Sequence, residues 1–557
     1  MESSTASMGE PQVVGSAFPP NLRAPVALVL HAHLPYVRHP EFPQFHEETW
    51  LFEAILESYL PLLRMLNGWQ RDRVRARLTL SVSPTLAAML TDPLLLLRFQ
   101  QHMARLLDLT EQEAIRAHFE PRRRKVVEFF REWLRERTSE FDSLGGNLLK
   151  AFAQKSAEGY LELITCSATH ATLPLLRSSP ESLRAQLEIA MDSHARWTGS
   201  RPVGFWLPEC AWVPELGPYL AEAGIRWCLV ESHGLLNANP RPRQATFAPV
   251  LSPDGLAVFG RDPASARQVW SRQGGYPGDP RYREFHRDTS HDTEWEYIRP
   301  FLHGAVGRAF TGLKLHRVTG PLLEKDLYER HDALAASQEH ARHFISERLK
   351  QATRAAEWMS RPPLQVAPYD AELFGHWWFE GPEFLDAAVR NSVGTPLEWV
   401  TPLDHLSEFP DLEVTQPAAS TWGEGGHFAV WLDESNAWIQ PCLRSAERRF
   451  QRLVQRNASL PQAPAVDRML RQAARELLLA QSSDWPFLIH LNTAGSYPAK
   501  RIRDHLEAFH QLAQYLETGT VEDGMDLLPR LERSHPIFPE LDWKIWSNTK
   551  TSTAADR

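Results

Sequence analysis

Short runs of β-branched and aliphatic residues recur along this chain, each ending in polar or conformationally special residues. They are VALVLHAH (26–33), RLTLSVSPT (77–85), LELITCSATH (161–170), GFWLPEC (204–210), WCLVES (227–232), LAVFGRD (256–262) and LQVAPYDAELFG (364–375). Continuous apolar runs alternating with helix-like segments, such as 181–198 and 213–224, predict a parallel sheet covered on both faces. The chemically versatile side chains stand at the C-terminal ends of the runs, where an α/β barrel carries its active site. No glycine-rich phosphate loop follows the first run, so a doubly wound nucleotide-binding sheet lacks support.

The expected organisation is a catalytic barrel over residues 25–409, interrupted by a helical insertion over 94–150, with an all-α C-terminal domain over 410–545. The insertion is rich in Leu, Arg and Glu at helical spacing, and strand signals stop after about Pro410. Beyond that point 436–457, 464–482 and 499–518 read as amphipathic helices. The ends, 1–24 and 546–557, are small and polar and are expected to be disordered tails.

Sixty Lys and Arg against 69 Asp and Glu leave a net charge of −9, which offers no footprint for a nucleic-acid backbone or an anionic membrane. No stretch approaches the ~18 apolar residues of a membrane span, and the N-terminus lacks the basic and apolar regions of a signal peptide. A cytoplasmic location is expected. Cys166, Cys210, Cys228 and Cys442 lie far apart with no CxxC pair and read as buried free thiols. Nineteen tryptophans are many for core filling alone, whereas their flat faces suit sugar rings.

Glu209, in GFWLPECAW, and Asp370, in VAPYDAELFGHWWFEGP, are acids at the ends of hydrophobic strands. Burying such a group costs several kcal/mol unless it is paired or used. Two of them on one rim suit glycoside cleavage, in which one carboxylate attacks the anomeric carbon and the other protonates the leaving oxygen. Glu372 and Glu380 compete with Asp370 for the acid role. His31 and His33 form an HxH pair at the end of the first run and His170 ends the third. They are candidates for hydrogen bonding to sugar hydroxyls, although an HxH with a late aspartate would also open a metal-dependent amidohydrolase. Trp377, close behind Asp370, is a further candidate sugar contact.

HAHLPYVRHPE, THATLPLL, GFWLPECAW, PYDAELFGHWWFEGPEF, ASTWGEGG and LAQSSDW together resemble glycoside hydrolase family 57. The stretch GRDP…QVWS…GYPGDP…YREFHRD makes its 1,4-α-glucan branching enzymes the nearest type. The resemblance implies an incomplete (β/α)7 barrel, a retaining mechanism with Glu209 as nucleophile and Asp370 as general acid/base, and no metal or cofactor. It implies an α-glucan polysaccharide of the amylose or glycogen kind as partner, and substrate contacts at His31, Trp50, Arg261, Gly278, Trp422, Trp431 and Asp484. The carboxyl separation expected of a retaining enzyme is about 5–5.5 Å.

Branching enzymes of the family place a loop tyrosine over the intermediate to exclude water. Here the corresponding stretch, HGLLNANPRPRQATFAPVLSPDG (233–255), contains none. Phe247 and Tyr276 are the candidates to replace it, and without a replacement hydrolysis should accompany branching. An α-1,4-glucan hydrolase or 4-α-glucanotransferase keeps the same chemistry with another acceptor, and a catalytically silent glucan-binding protein is the non-enzymatic alternative.

Overall fold

The computed structural model describes residues 18–19, 21–271, 274–319, 325–459 and 462–547. Most of both expected tails lies outside the described residues. In chain order the strands are β1 (Ala24–Ala32), β2 (Leu78–Val82), β3 (Leu161–Ile164), β4 (Gly204–Phe205), β5 (Trp227–Val230), β6 (Val250–Leu251), β7 (Ala257–Gly260), β8 (Gln365–Asp370), β9 (Leu397–Trp399) and β10 (Glu413–Val414).

β1, β2, β3, β4, β5, β7 and β8 form a ring. β8, β1, β2 and β3 pair in parallel in that order, as do β4, β5 and β7. The two sets meet at thin seams. Thr165 and Phe205 form a parallel bridge with Trp206 N–H donating to Thr165 O at 2.9 Å, and Asp262 N–H donates to Val366 O at 2.8 Å. This is the incomplete (β/α)7 barrel that the family resemblance implies, its seven strands falling on the apolar runs.

Period-two alternation explains why β1 is buried throughout. Ala27 and Val29 face a barrel interior shared with Ile164, Trp206, Leu229, Phe259 and Val366. Val26, Leu28 and Leu30 join the larger cluster formed with the surrounding helices.

Between β2 and β3 run helices Pro93–Arg116, Pro121–Ser143 and Leu148–Ala157. Asp92 caps the first by accepting from Leu94 and Leu95 N–H, and Asn147 caps the third. Helices Ile439–Asn457, Pro464–Ala480, Asp484–Leu491 and Tyr497–Thr518 make up most of the C-terminal region, packing Phe450, Leu477 and Phe509 into one apolar layer.

Three expectations need correction. The helix expected from residue 436 starts at Ile439, because the Asn436 amide turns inward to Val430 O (2.8 Å) and Pro486 O (3.1 Å). Trp431 and Trp438 therefore share no helix face. A strand does follow Pro410, since β10 pairs with β6; two residues are too few to leave an alternation signal. Cys442 is exposed, on the outer side of its helix, whereas the other three cysteines are buried.

Candidate active site

After β4 the chain turns through Glu209 (φ 63°) and Cys210 (φ 47°). Non-glycine residues in the left-handed region cost roughly 1–3 kcal/mol each and persist only where their surroundings over-determine them. Here residues 420–422 do so. Trp212 and Ser420 exchange backbone hydrogen bonds, and Trp422 N–H donates to Glu209 O at 3.0 Å. The Glu209 carboxylate is held by two donors, Trp422 Nε1 on Oε2 and Ser483 Oγ on Oε1, each at 2.8 Å. Burial pushes this carboxyl above its ordinary value, and the two donors pull the other way.

Asp370 ends β8 in register with His31. Its carboxyl has no hydrogen-bond donor among the described residues. Burial, then the charges of Glu372 and Glu209, hold it well above the usual range, with Arg261 opposing. The two rival acids are engaged elsewhere. Glu372 accepts from Tyr59 OH and from His33 N–H, and Glu380 accepts from Tyr328 OH. Burial pushes each of them up to about 7.

Beneath the carboxylates lie three histidines. His31 stacks on Trp206 with ring centres 4.5 Å apart, and its nitrogens reach Ser81 Oγ (3.0 Å) and His170 Nε2 (3.0 Å). The other nitrogen of His170 reaches Ser483 Oγ at 2.8 Å. His33 reaches Ser83 Oγ at 2.8 Å and Asp484 at 3.0 Å, and stacks on His170. Burial opposes ionisation of Asp484, but His33 holds it below the ordinary aspartate value. His33, His170 and Asp484 bring donor atoms within 4.8 Å of one another, as do Glu476, His505 and His535 among the C-terminal helices. Hydrogen bonds account for both groups: in the second, Glu476 accepts from Nδ1 of His505 (2.7 Å) and of His535 (2.8 Å).

An aromatic wall rises beside the carboxylates. Trp422 is edge-on to Trp206 and near-parallel to Trp270 at 6.3 Å, and Trp270 is edge-on to Trp377 at 6.0 Å. Trp270 is 42% exposed and Trp377 43%, so both present ring surface to solvent. The Arg261 guanidinium lies 5.5 Å from the Trp422 ring centre and donates to Glu231 at 3.0 Å. Buried acids, opposed donors and an aromatic wall together form a site for a neutral, hydroxyl-rich ligand.

Residues 27–416 match the family model described as glycosyl hydrolase family 57, and residues 442–546 match that of the C-terminal part of 1,4-alpha-glucan branching enzymes. The chain belongs to glycosyl hydrolase family 57. Its relatives include a 1,4-alpha-glucan branching enzyme of Thermococcus kodakarensis, 32% identical over 92% of this chain and 77% of that protein. Among solved structures, the alpha-amylase AmyC of Thermotoga maritima superposes with a TM-score of 0.88 at 37% identity, covering 95% of this chain and 100% of that one. A family 57 branching enzyme of Pyrococcus horikoshii superposes with a TM-score of 0.85 at 33% identity, covering 95% and 97%.

Within this family 57 chain the expected site residues separate. Glu209, Asp370, Arg261, Trp422 and Asp484 come together with the histidines, and Trp377 stands at the rim. Three expectations are revised. Trp431, only 1% exposed, is no open platform: it packs beneath Gly423, where a Cβ would stand 2.8 Å from its ring. His31, His33 and His170 have both ring nitrogens engaged by protein groups, so none has a free one for a sugar hydroxyl. Gly278 is exposed at the end of the turn Tyr276–Gly278, whose Tyr276 is buried, and it has no side chain to reach the carboxylates. Trp50 is half-buried, edge-on to Tyr497 at 5.9 Å.

Neither candidate for the missing loop tyrosine covers the site. Tyr276 is buried, with its hydroxyl bonded to His343 Nδ1 at 2.8 Å. Phe247 O accepts from Leu364 N–H, six residues before Asp370 and about 20 Å away along a strand. The loop is instead tied to the segment before residue 416, through paired hydrogen bonds between Asn239 and Gln416 and from Arg243 N–H to Glu413. Sequence reasoning missed Ser81, Ser83, Ser483, Glu231, Trp206 and Trp270. The first two were legible: an SxS at the end of the second run matches the HxH at the end of the first.

Proposed function

We propose that this chain is a 1,4-α-glucan branching enzyme working by retaining double displacement. Glu209 attacks the anomeric carbon of an α-1,4-linked glucan while protonated Asp370 gives its proton to the leaving oxygen. Asp370 then takes a proton from the 6-hydroxyl of an acceptor chain as that oxygen displaces Glu209. The observation that carries this reading is the contrast between the two acids. Two donors favour the ionised form of Glu209, whereas Asp370 has none and faces negative charge, so the single proton of the pair favours Asp370. On this reading the carboxyl groups stand about 5–5.5 Å apart.

The branching-type C-terminal match and the named activity of the relatives support transfer as the outcome. Arg261, Trp422, Trp377 and Trp270 are assigned to sugar contacts, the polymer is of the amylose or glycogen kind, and the enzyme works in the cytoplasm. We keep the division into a barrel (25–409) with its insertion (94–150) and a C-terminal domain (410–545). One observation favours a hydrolytic component: the loop over 233–255 lacks a tyrosine, and from Asn239 onward it is tied to residues 413–416 rather than to the segment around Glu209. Incubation with amylose, followed by separate counts of new α-1,6 linkages and new reducing ends, tests both. Reducing ends without α-1,6 linkages would replace branching with hydrolysis.

A further inference from the structure

The hydrogen bonds behind Glu209 form a chain with one permitted direction. An ionised Glu209 can only accept, so the single hydroxyl proton of Ser483 points to Oε1, at 2.8 Å. The Ser483 oxygen is then free to accept from His170 Nδ1–H, at 2.8 Å. A neutral His170 with its proton on Nδ1 offers a lone pair at Nε2, which His31 Nε2–H fills at 3.0 Å. His31 Nδ1 is thereby an acceptor, filled by the hydroxyl of Ser81 at 3.0 Å. Every donor in the series has one acceptor. Reversing any link leaves two protons or two lone pairs facing each other in a buried site.

Both imidazoles are buried, and burial pushes each well below the ordinary histidine value, which keeps them neutral. The series runs through four structural units: Ser81 and His31 lie one residue from the ends of β2 and β1, His170 follows β3 at φ 54°, and Ser483 precedes the helix Asp484–Leu491.

We propose that Ser81, His31, His170 and Ser483 act as a directional positioning relay, in which the tautomer of each histidine obliges Ser483 to donate to Glu209 and so keeps the nucleophile ionised. The proposal rests on Glu209 being the nucleophile. The other titratable or charged groups around Glu209 are Asp370, Asp484, His33, the buried thiols of Cys166, which also lies against His31 and His170, and Cys210, and, further out, Arg261, Glu231 and Glu372. The relay's particular consequence is action at a distance. Without a donor at position 31, His170 can move its proton to Nε2, and Ser483 then donates to His170 Nδ1 instead of to Glu209.

The test is the pH profile of kcat/KM on a maltooligosaccharide donor. Ser483→Ala should move the acid limb upward by about one pH unit, the size of one hydrogen bond to a charged group. His31→Phe, which keeps the stack on Trp206 and never touches Glu209, should move the limb in the same direction. His31→Gln, whose amide can still donate to His170, should restore much of it, and Ser483→Thr should restore the limb lost in the alanine variant. KM should change less than kcat in all four. A limb that stays in place in Ser483→Ala, or in His31→Phe with its fold intact by circular dichroism, overturns the relay. If Glu209→Gln retains turnover, the nucleophile assignment fails instead, and the two failures are told apart.

Discussion

One acid that must stay charged and another that must carry a proton need different surroundings, and at Glu209 and Asp370 hydrogen-bond donors make the difference. Glu209→Gln and Asp370→Asn should each lower kcat by about 10⁴-fold or more, because the two groups act as a unit. Initial rates on amylose check this. The raised carboxyl of Asp370 also has a thermal consequence. A group whose pKa is higher in the folded protein gives stability that is full below its unfolded value and is lost as pH rises through the folded one. Asp370→Asn should therefore melt above wild type at pH 7, and the gain should vanish below about pH 4. Melting curves across that range measure it. Trp431→Ala should cost about 3–5 kcal/mol of stability, as expected for a large buried aromatic, with little effect on KM. A raised KM at unchanged stability would return Trp431 to the sugar site.

Among elements, the loop over 233–255 is the one whose position matters most for the outcome of the reaction. Its proline-rich course runs beside β10 and the start of β8, so Phe247 and Asp254 lie toward the opposite end of the strands from Asp370. Asp254 sits in the turn before β7, against Gly217, where a Cβ would stand 2.0 Å from its carboxylate. Phe247→Tyr and Asp254→Tyr should thus leave the ratio of reducing ends to α-1,6 linkages unchanged; a fall in either would show that the loop swings over the site during turnover. The strands themselves were legible, because barrel strands are apolar on both faces and their polar ends stand out. Ser81 beside His31 and Ser83 beside His33 follow from parallel register and period two. Ser483 and Trp270 lie inside the motifs LAQSSDW and QVWS, but their roles were not legible, since their partners at Glu209, His170, Trp377 and Trp422 are more than a hundred residues away. Trp431 misled because the resemblance carries a tryptophan's position but not whether its ring faces sugar or packs beneath a turn.

For the molecule as a whole, the site belongs to no single stretch of chain. The Glu209 carboxylate, the proposed nucleophile, takes its indole partner from residue 422 and its hydroxyl partner from 483, and the last of these lies in the helical region after the barrel. Wild-type protein should make branches from amylose with an appreciable yield of new reducing ends, read by counting both products in one reaction. Branching with almost no free ends would mean that a group other than a loop tyrosine keeps water out.

The late arrival of Ser483 bears on how the chain is made. Synthesis runs from the N-terminus, so both acids and all the barrel strands leave the ribosome before the segment that completes the setting of Glu209. A polypeptide interrupted between residues 422 and 483 carries both acids and Trp422 and lacks the second donor to the Glu209 carboxylate. On the proposed reading, a chain that stops before Ser483 keeps both acids and loses one of the two donors to Glu209.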